Sequence, residues 1–549
     1  MTGKGAAGGN CLEGNKYSEK ILLLLILLMS LFLYTWRAGD IVFVDEDEAI
    51  YAQAASEMVG SGDWLTPHLN FEVFHDKQPL VYWLNAICFL LFGRNEFSVR
   101  IWHSLMAVAG VYVVYIIGRE LFDTKTGLLS SAIFSTGLFY FYQSRSPLLD
   151  IPLNLFISLG FYCFIVFTKT GKLLYNYIFW GCLGLAVMTK GLVGFVLPCM
   201  ITGIFLVVKY KKNLPCYMRK YLLHIAGGIA VFLLIAAPWH IIEYYLHGNI
   251  FIENVFMKLT FRRYFSGDGA VAPSHNFFTH FITILYGSLP WSGFLLPGII
   301  LLLKDKDQLG RKNFIFIWIL LVFIFFSVSA PKRIRYIMPM FPALSLVPGY
   351  MWNKYLHENS IKKYMNLSAL LSLPLGILIF LALFYAKMKF PEDYERLSSL
   401  CVPPLIILAF AIVIPSIMIF FNCKKSAFIA FIILTFCSYS FLVWSSGEYF
   451  NQVKPVKSLS LMINGQIKKG DRIGSFVNLH PSLIFYTNHK IEYLLTREDL
   501  ANFFASKDHV FCVAETRDLK VKEFGDFYKV PVFILKEHAG FLLLSNRKE

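Results

Sequence analysis

Four acids in a row, Asp45-Glu46-Asp47-Glu48, follow directly after the first long apolar stretch of this 549-residue chain. Carboxylates crowded at the end of an apolar run repel one another. At least one is therefore expected to be held by a cation or to have a raised pKa, the property wanted of a general base or a charge-orienting group. The bland alternative is a solvated acidic loop start. Tyr51 lies one helical turn beyond Asp47 and on its face. The same loop ends in His75-Asp76-Lys77-Gln78-Pro79, ahead of Tyr82-Trp83. A further acid, Asp150, sits between apolar runs in Arg145-Ser146-Pro147-Leu148-Leu149-Asp150-Ile151-Pro152. By itself it could be no more than a helix N-cap, since an Asp side chain accepts from first-turn amides and Pro suits a helix start.

These residues must be positioned by membrane helices. The chain is 56% hydrophobic, 17% aromatic and only 16% charged. Soluble domains carry roughly 25% charge, so a soluble, disordered or single-pass protein is excluded. About 20 helical residues cross a bilayer core, and such runs recur at about 20–37, 100–118, 127–143, 150–168, 174–189, 191–208, 222–240, 279–303, 313–329, 336–352, 366–386, 402–421 and 426–446. That is an all-α membrane protein with about thirteen spans. The first run has no small-residue cleavage site and is expected to be an anchor. Residues 79–93 are apolar but short, and an interfacial or re-entrant helix is expected there.

The net charge of +15 would suggest nucleic acid on a soluble chain. In a membrane protein it orients the spans and meets anionic lipid, so no nucleic acid partner is expected. Lys169/Lys172, Lys209/Lys211/Lys212/Arg219/Lys220, Lys304/Lys306/Arg311/Lys312, Lys354/Lys362/Lys363 and Lys424/Lys425 fall on the side of Lys16 and Lys20, which the positive-inside rule makes cytoplasmic. The loops 38–99 and 241–278 and the C-terminal tail then face outward. Outward cations run against that rule: Lys77, Arg145, Lys190, Lys258, Arg262, Arg263, Lys332, Arg333 and Arg335. A single one can be a snorkelling anchor, whereas the set calls for an anionic partner such as a lipid-borne phosphate.

From about 447 the composition changes. Strand-like runs at 472–477, 482–487, 509–514, 530–535 and 540–545 alternate with helix-like stretches, one opened by Thr496 with Asp499 three residues on. A small C-terminal α/β domain, 447–549, is expected after a transmembrane domain, 1–446. The ten cysteines show no CxxC spacing, so no disulfide framework or cysteine metal cluster follows.

Taken in order, several stretches resemble the GT-C membrane glycosyltransferases, in the aminoarabinose-transferase (ArnT)-like branch related to protein O-mannosyltransferases. They are Asp47-Glu48-x-x-Tyr51-Ala52, Gly60-Ser61-Gly62-Asp63-Trp64, Asp76-Lys77-Gln78-Pro79-x-x-Tyr82-Trp83, Leu149-Asp150-Ile151-Pro152, Thr189-Lys190-Gly191, Pro238-Trp239, Leu289-Pro290-Trp291-Ser292 and Ser329-Ala330-Pro331-Lys332-Arg333-x-Arg335-Tyr336. The resemblance covers roughly residues 20–350 and extends to the tail domain.

The resemblance implies transfer of a sugar, 4-amino-4-deoxy-L-arabinose or a related one, from a polyprenyl-phosphate donor. The acceptor it implies is lipid A, another glycolipid or a protein at the outer face of a bacterial inner membrane. It places Asp47 as the base, with Glu48 and Asp150 as further catalytic carboxylates. Lys77 becomes the lipid-phosphate contact, and Tyr51, Asp76, Tyr82, Arg145, Lys190, Arg263, Lys332, Arg335 and Tyr336 become substrate-binding residues. One departure stands out: Leu259 and Thr260 occupy the place of the family's Glu-His pair. A His-based metal site is expected to be weakened here, and the chemistry leaves room for a divalent cation without requiring one. A flippase for lipid-linked sugars is the rival function. Transporters usually show internal repeats and mid-membrane ionisable groups, and neither is visible in this sequence.

Overall fold

The computed structural model describes residues 7–43, 47–266, 278–306, 309–478 and 480–548. Asp45 and Glu46 lie outside them. Among the described residues, eight helical stretches are long and apolar enough to cross a membrane: Tyr17–Thr35, Glu96–Leu121, Asp150–Thr170, Val193–His247, Gly310–Val328, Lys362–Lys389, Leu397–Phe420 and Lys424–Val453. The pair Thr279–Gly287 and Ser292–Lys304, bent by 107°, makes nine if it is one span. Within the 55-residue stretch a short turn at Lys211–Asn213 separates the helices Val193–Tyr210 and Leu214–His247. The expected run 127–143 is two helices, Thr124–Ser135 and Leu138–Ser144. A break in an apolar bundle exposes carbonyls that need donors. The Tyr34 hydroxyl donates to Ser135 O at 2.9 Å and the Tyr439 hydroxyl to Thr136 O at 3.0 Å. The segment at 79–93 is the helix Leu80–Phe92; its 13 residues reach only ~20 Å at 1.5 Å per residue, short of a ~30 Å core.

The chain divides into two compact units. The first comprises 1–36, 76–80 and 103–444, and its core is built from apolar faces of the long helices, with Trp291, Trp318 and Trp352 fully buried. The Trp318 indole donates to Pro339 O at 2.7 Å, which satisfies its one polar atom.

The second unit comprises 37–75, 81–102 and 445–549. The boundary therefore differs from a simple cut at 447, because the first loop belongs to the same compact unit as the tail. Its sheet is mixed. After the hairpin strands β1 (His68–Leu69) and β2 (Glu72–Val73) come β3 (Arg472–Phe476), β4 (Ile491–Leu494), β5 (Val510–Glu515), β6 (Phe533–His538) and β7 (Phe541–Ser545), ordered β4-β3-β5-β7-β6. β3 is parallel to β4 and β5, while β7 is antiparallel to β5 and β6. The run 482–487, expected as a strand, is the helix Pro481–Thr487. Pro481 suits its first turn and Asn488, at φ 57°, ends it in a left-handed cap. Thr496 and Asp499 form the expected capping box. The Thr496 bonds hold the Asp499 carboxyl below its ordinary range.

The hairpin is latched to β4. The Asn70 side chain donates to Ile491 O and accepts from Ile491 N, both at 2.8 Å, while Asn70 and Phe71 hold φ of 58° and 64° at the turn. Asn tolerates that backbone and Phe does not, so the latch must offset the strain. Asn70→Ala is expected to lower the stability of this unit by about 2 kcal/mol through two lost buried bonds. Hydrogen exchange at 66–75 should rise in parallel, and unchanged exchange there would show the latch to be idle.

Candidate active site

The residues singled out by sequence fall in both units, each of which builds its own cluster. In the second unit, Asp47 and Glu48 open the helix Asp47–Ser61, where negative charge suits the positive end of the helix dipole. Its alanines, Ala49, Ala52 and Ala55, let it pack closely against Phe43, Ala86, Phe89, Val99 and Phe485. The Glu48 carboxylate is buried and accepts from Arg100 Nε at 2.7 Å. Arg100 also donates to Ala38 O, Ile41 O and Val42 O at 2.8, 2.6 and 3.3 Å. Glu48 is therefore committed to an ion pair that fixes the helix start, and Asp47, one residue earlier, is half-buried. Tyr51 is fully buried against Tyr82, ring centroids 5.9 Å apart at 62°. Asn85 ties this pair to Trp102, donating to Tyr51 O at 3.4 Å and accepting from the Trp102 indole at 2.7 Å.

Six residues before Arg100, Arg94 grips the same helix farther along. It donates to Ser56 Oγ at 2.6 Å, to Gln53 Oε1 at 3.4 Å and to Phe485 O in the tail domain. Burial pushes its guanidinium down to about 10, with Glu57 opposing, so it stays charged at neutral pH. Glu96 accepts from Lys457 at 2.5 Å and from the Tyr486 hydroxyl at 2.9 Å. Sequence reasoning passed over Arg94 and Arg100. The one available signal was an arginine inside an apolar stretch, where an unpaired charge is expensive.

In the first unit, Asp150 does not cap its helix. It is the first residue of Asp150–Thr170, which has no side-chain cap, and its carboxylate goes elsewhere. Lys190 Nζ lies 2.5 Å from Oδ1 and Arg335 Nε 3.8 Å from Oδ2. The Lys190 ammonium also sits 4.8 Å from the Tyr336 ring centroid. Four of the expected residues thus come together from three elements. Gly191, at φ 74°, ends the helix Leu173–Lys190, and a Cβ there would lie 3.0 Å from Gln78 Nε2. Glycine is needed both for that backbone and for the approach of the 76–80 segment. In that segment Lys77 Nζ donates to its neighbour Asp76 at 2.9 Å.

Other expected residues make contacts of their own. Arg145 donates to Leu33 O, Tyr34 O and Trp36 O at 2.7, 3.2 and 3.0 Å, so its guanidinium caps the C-terminal end of the first helix. Lys332 donates to Ser329 O at 3.2 Å. Arg263 opens the short helix Arg263–Phe265, and its Nε is buried with no hydrogen-bond partner among the described residues. The expected weakening at Leu259 and Thr260 overlooked a nearby pair: His247 Nε2 lies 3.6 Å from the fully buried Glu243 carboxylate, at i, i+4 on the helix Leu214–His247. Both are donor types that metal ions accept.

Removing one partner of a buried ion pair strands the other charge. Arg100→Met is expected to cost about 3–5 kcal/mol by thermal unfolding, and the double change Glu48→Leu with Arg100→Met less than that single change. Equal losses would mean that the three carbonyl bonds, rather than the ion pair, carry the effect.

The chain is similar in sequence and fold to several known proteins. Residues 76–242 match the family described as dolichyl-phosphate-mannose-protein mannosyltransferase. The chain is 28% identical over 479 residues to an uncharacterized protein of Aquifex aeolicus, covering 85% of this chain and 87% of the relative. It is 30% identical over 358 residues to undecaprenyl phosphate-alpha-4-amino-4-deoxy-L-arabinose arabinosyl transferase 1 of Pseudomonas fluorescens, covering 63% of this chain and 62% of that one. It thus spans less than two thirds of the length of that curated relative. The fold is similar to the crystal structure of ArnT from Cupriavidus metallidurans bound to undecaprenyl phosphate, with a TM-score of 0.81 at 17% identity over 95% of this chain and 98% of that one. The chain thus carries its motifs in the order seen in the ArnT-like GT-C membrane glycosyltransferases, on a mostly helical fold similar to that of ArnT.

Proposed function

We propose that the protein is an integral-membrane glycosyltransferase that moves a sugar from a polyprenyl-phosphate donor to a lipid or protein acceptor. The observation that carries this is the group of Asp150, Lys190, Arg335 and Tyr336, where two cations share one buried carboxylate. Cations gathered at one buried site suit a phosphate. The acceptor oxygen attacks the anomeric carbon as the carbon–oxygen bond to the phosphate breaks. The electron pair of that bond stays on the phosphate oxygen, where Lys190 and Arg335 stabilise it, and a general acid is not needed. Asp47 orients the acceptor and takes its proton. A single displacement inverts the anomeric centre. Glu48 supports Asp47 through Arg100, and Lys77, Arg263 and Lys332 add to the phosphate-binding charge.

The sugar we favour is 4-amino-4-deoxy-L-arabinose or a relative, with lipid A, another glycolipid or a protein as acceptor. The proposed setting is a bacterial inner membrane, crossed thirteen times, with the N-terminus cytoplasmic and the 447–549 domain periplasmic. Glu243 and His247 are where we would place a divalent cation. Titrating the purified enzyme with a chelator tests this, and unchanged transfer would leave the charge load to the lysines and arginines alone.

Asp47→Asn is expected to abolish transfer from a polyprenyl-phosphate sugar while thermal stability stays near wild type, because Arg100 still pins Glu48. Wild-type rates would overturn the base assignment. Lys190→Ala should weaken donor binding by at least tenfold, the loss of one charge-assisted contact. Donor binding at wild-type strength would remove that residue from the site. A proteoliposome assay that finds lipid-linked sugar crossing the bilayer without transfer would favour a flippase instead.

A further inference from the structure

Away from these clusters, the first unit carries a dense basic surface that the proposed reaction does not use. It is made by the turn 166–172, between the helices Asp150–Thr170 and Leu173–Lys190, and the segment 207–224 around Lys211–Asn213. Lys169, Lys172, Lys209, Lys211, Lys212, Arg219 and Lys220 fall within these stretches, and neither contains an Asp or Glu.

The two stretches form one surface. Lys209 Nζ donates to Thr168 O at 3.2 Å, and Phe167 meets Tyr221 edge-on at 5.0 Å. Tyr210 stacks on Tyr217 at 4.2 Å, and Tyr217 meets Tyr221 at 4.9 Å. These half-buried rings make a platform, with Lys209 5.1 Å from the Tyr210 centroid and Lys220 5.0 Å from that of Tyr221. Lys169 is paired with Glu120 at 3.0 Å, whereas Lys172, Lys211, Lys212 and Arg219 stand exposed. Beside them Leu174, Val207, Leu222 and Leu223 are 65%, 54%, 59% and 84% exposed.

Orienting the spans needs the charges alone. Holding like charges together around an ordered tyrosine platform costs free energy unless an anion sits among them. We propose that this surface docks the phosphate headgroup of an anionic phospholipid, the lysines and tyrosine hydroxyls taking the phosphodiester and the adjoining leucines and Val207 its acyl chains. The exposed apolar side chains select this occupant. A soluble polyanion would leave them in water, and a zwitterionic lipid would bring its own cation against the lysines.

The test is native mass spectrometry of the purified full chain in detergent with phosphatidylglycerol or phosphatidylcholine added, alongside Lys209→Gln/Lys211→Gln/Lys212→Gln and the matching triple Arg variant. Each lysine near an anionic headgroup is worth about fivefold. The Gln variant should therefore bind phosphatidylglycerol about 100-fold more weakly, the Arg variant should retain it, and sugar transfer in detergent should be unchanged in both. Equal binding of the two lipids by the wild type, or no loss in the Gln variant, would overturn the proposal. Displacement of bound phosphatidylglycerol by millimolar inorganic phosphate would overturn it too, by showing a site for free phosphate. Loss of transfer in an Asp47 variant has no bearing on this outcome, so the two assignments fail separately.

Discussion

In apolar surroundings a charge or a free carbonyl must find a partner, and this constraint organises the molecule. Asp150 is buried where a lone carboxylate would be costly, and Lys190 and Arg335 reach it from elements far away in sequence. The same demand recruits Arg145 to the loose carbonyls of the first helix and Tyr34 and Tyr439 to the broken run at Thr136–Gly137. Each pairing fixes one helix end relative to another. Together the pairings set which polar groups remain for chemistry.

The second unit solves the problem with arginines. Arg100 and Arg94 come from one short segment and grip the Asp47–Ser61 helix at its first turn and along its middle. Arg94 also binds the backbone of Phe485, and Phe43 packs edge-on against the Phe485 ring at 4.8 Å. The tail domain is thus part of the body that holds the acid-bearing helix. Through Arg94, the 481–487 helix is tied to the middle of the Asp47–Ser61 helix.

Spans and clusters differed in how openly the sequence displayed them. Most long helices could be read because their signal is compositional and needs no partner. The run 127–143 breaks at Thr136–Gly137, where hydroxyls from Tyr34 and Tyr439 meet the loose carbonyls, and no local pattern announces that break. Asp150, Lys190, Arg335 and Tyr336 were legible as types out of place, basic or acidic where apolar loops were expected. Arg145 carried the same signal, and its guanidinium meets the carbonyls that end the first helix, a contact no local pattern announces. Arg100 was missed because Glu48, its partner, lies 52 residues away. The segment 482–487 looked like a strand from its side chains, yet Pro481 and Asn488 bracket it as one short helix.

Under the proposed reaction, the pairing of Asp150 with two cations also bears on how such a site would favour a transition state. A bare pair of cations would bind a phosphodiester donor tightly before any bond has moved, which lowers KM without raising kcat. With one carboxylate drawing on both, their pull on the single charge of the bound donor is reduced. As the sugar departs, the phosphate gains a second charge and competes better for the same ammonium and guanidinium. The interaction then grows along the reaction coordinate, as electrostatic catalysis requires. In this view Asp150 need never touch a proton: it sets the level of positive charge that Lys190 and Arg335 present.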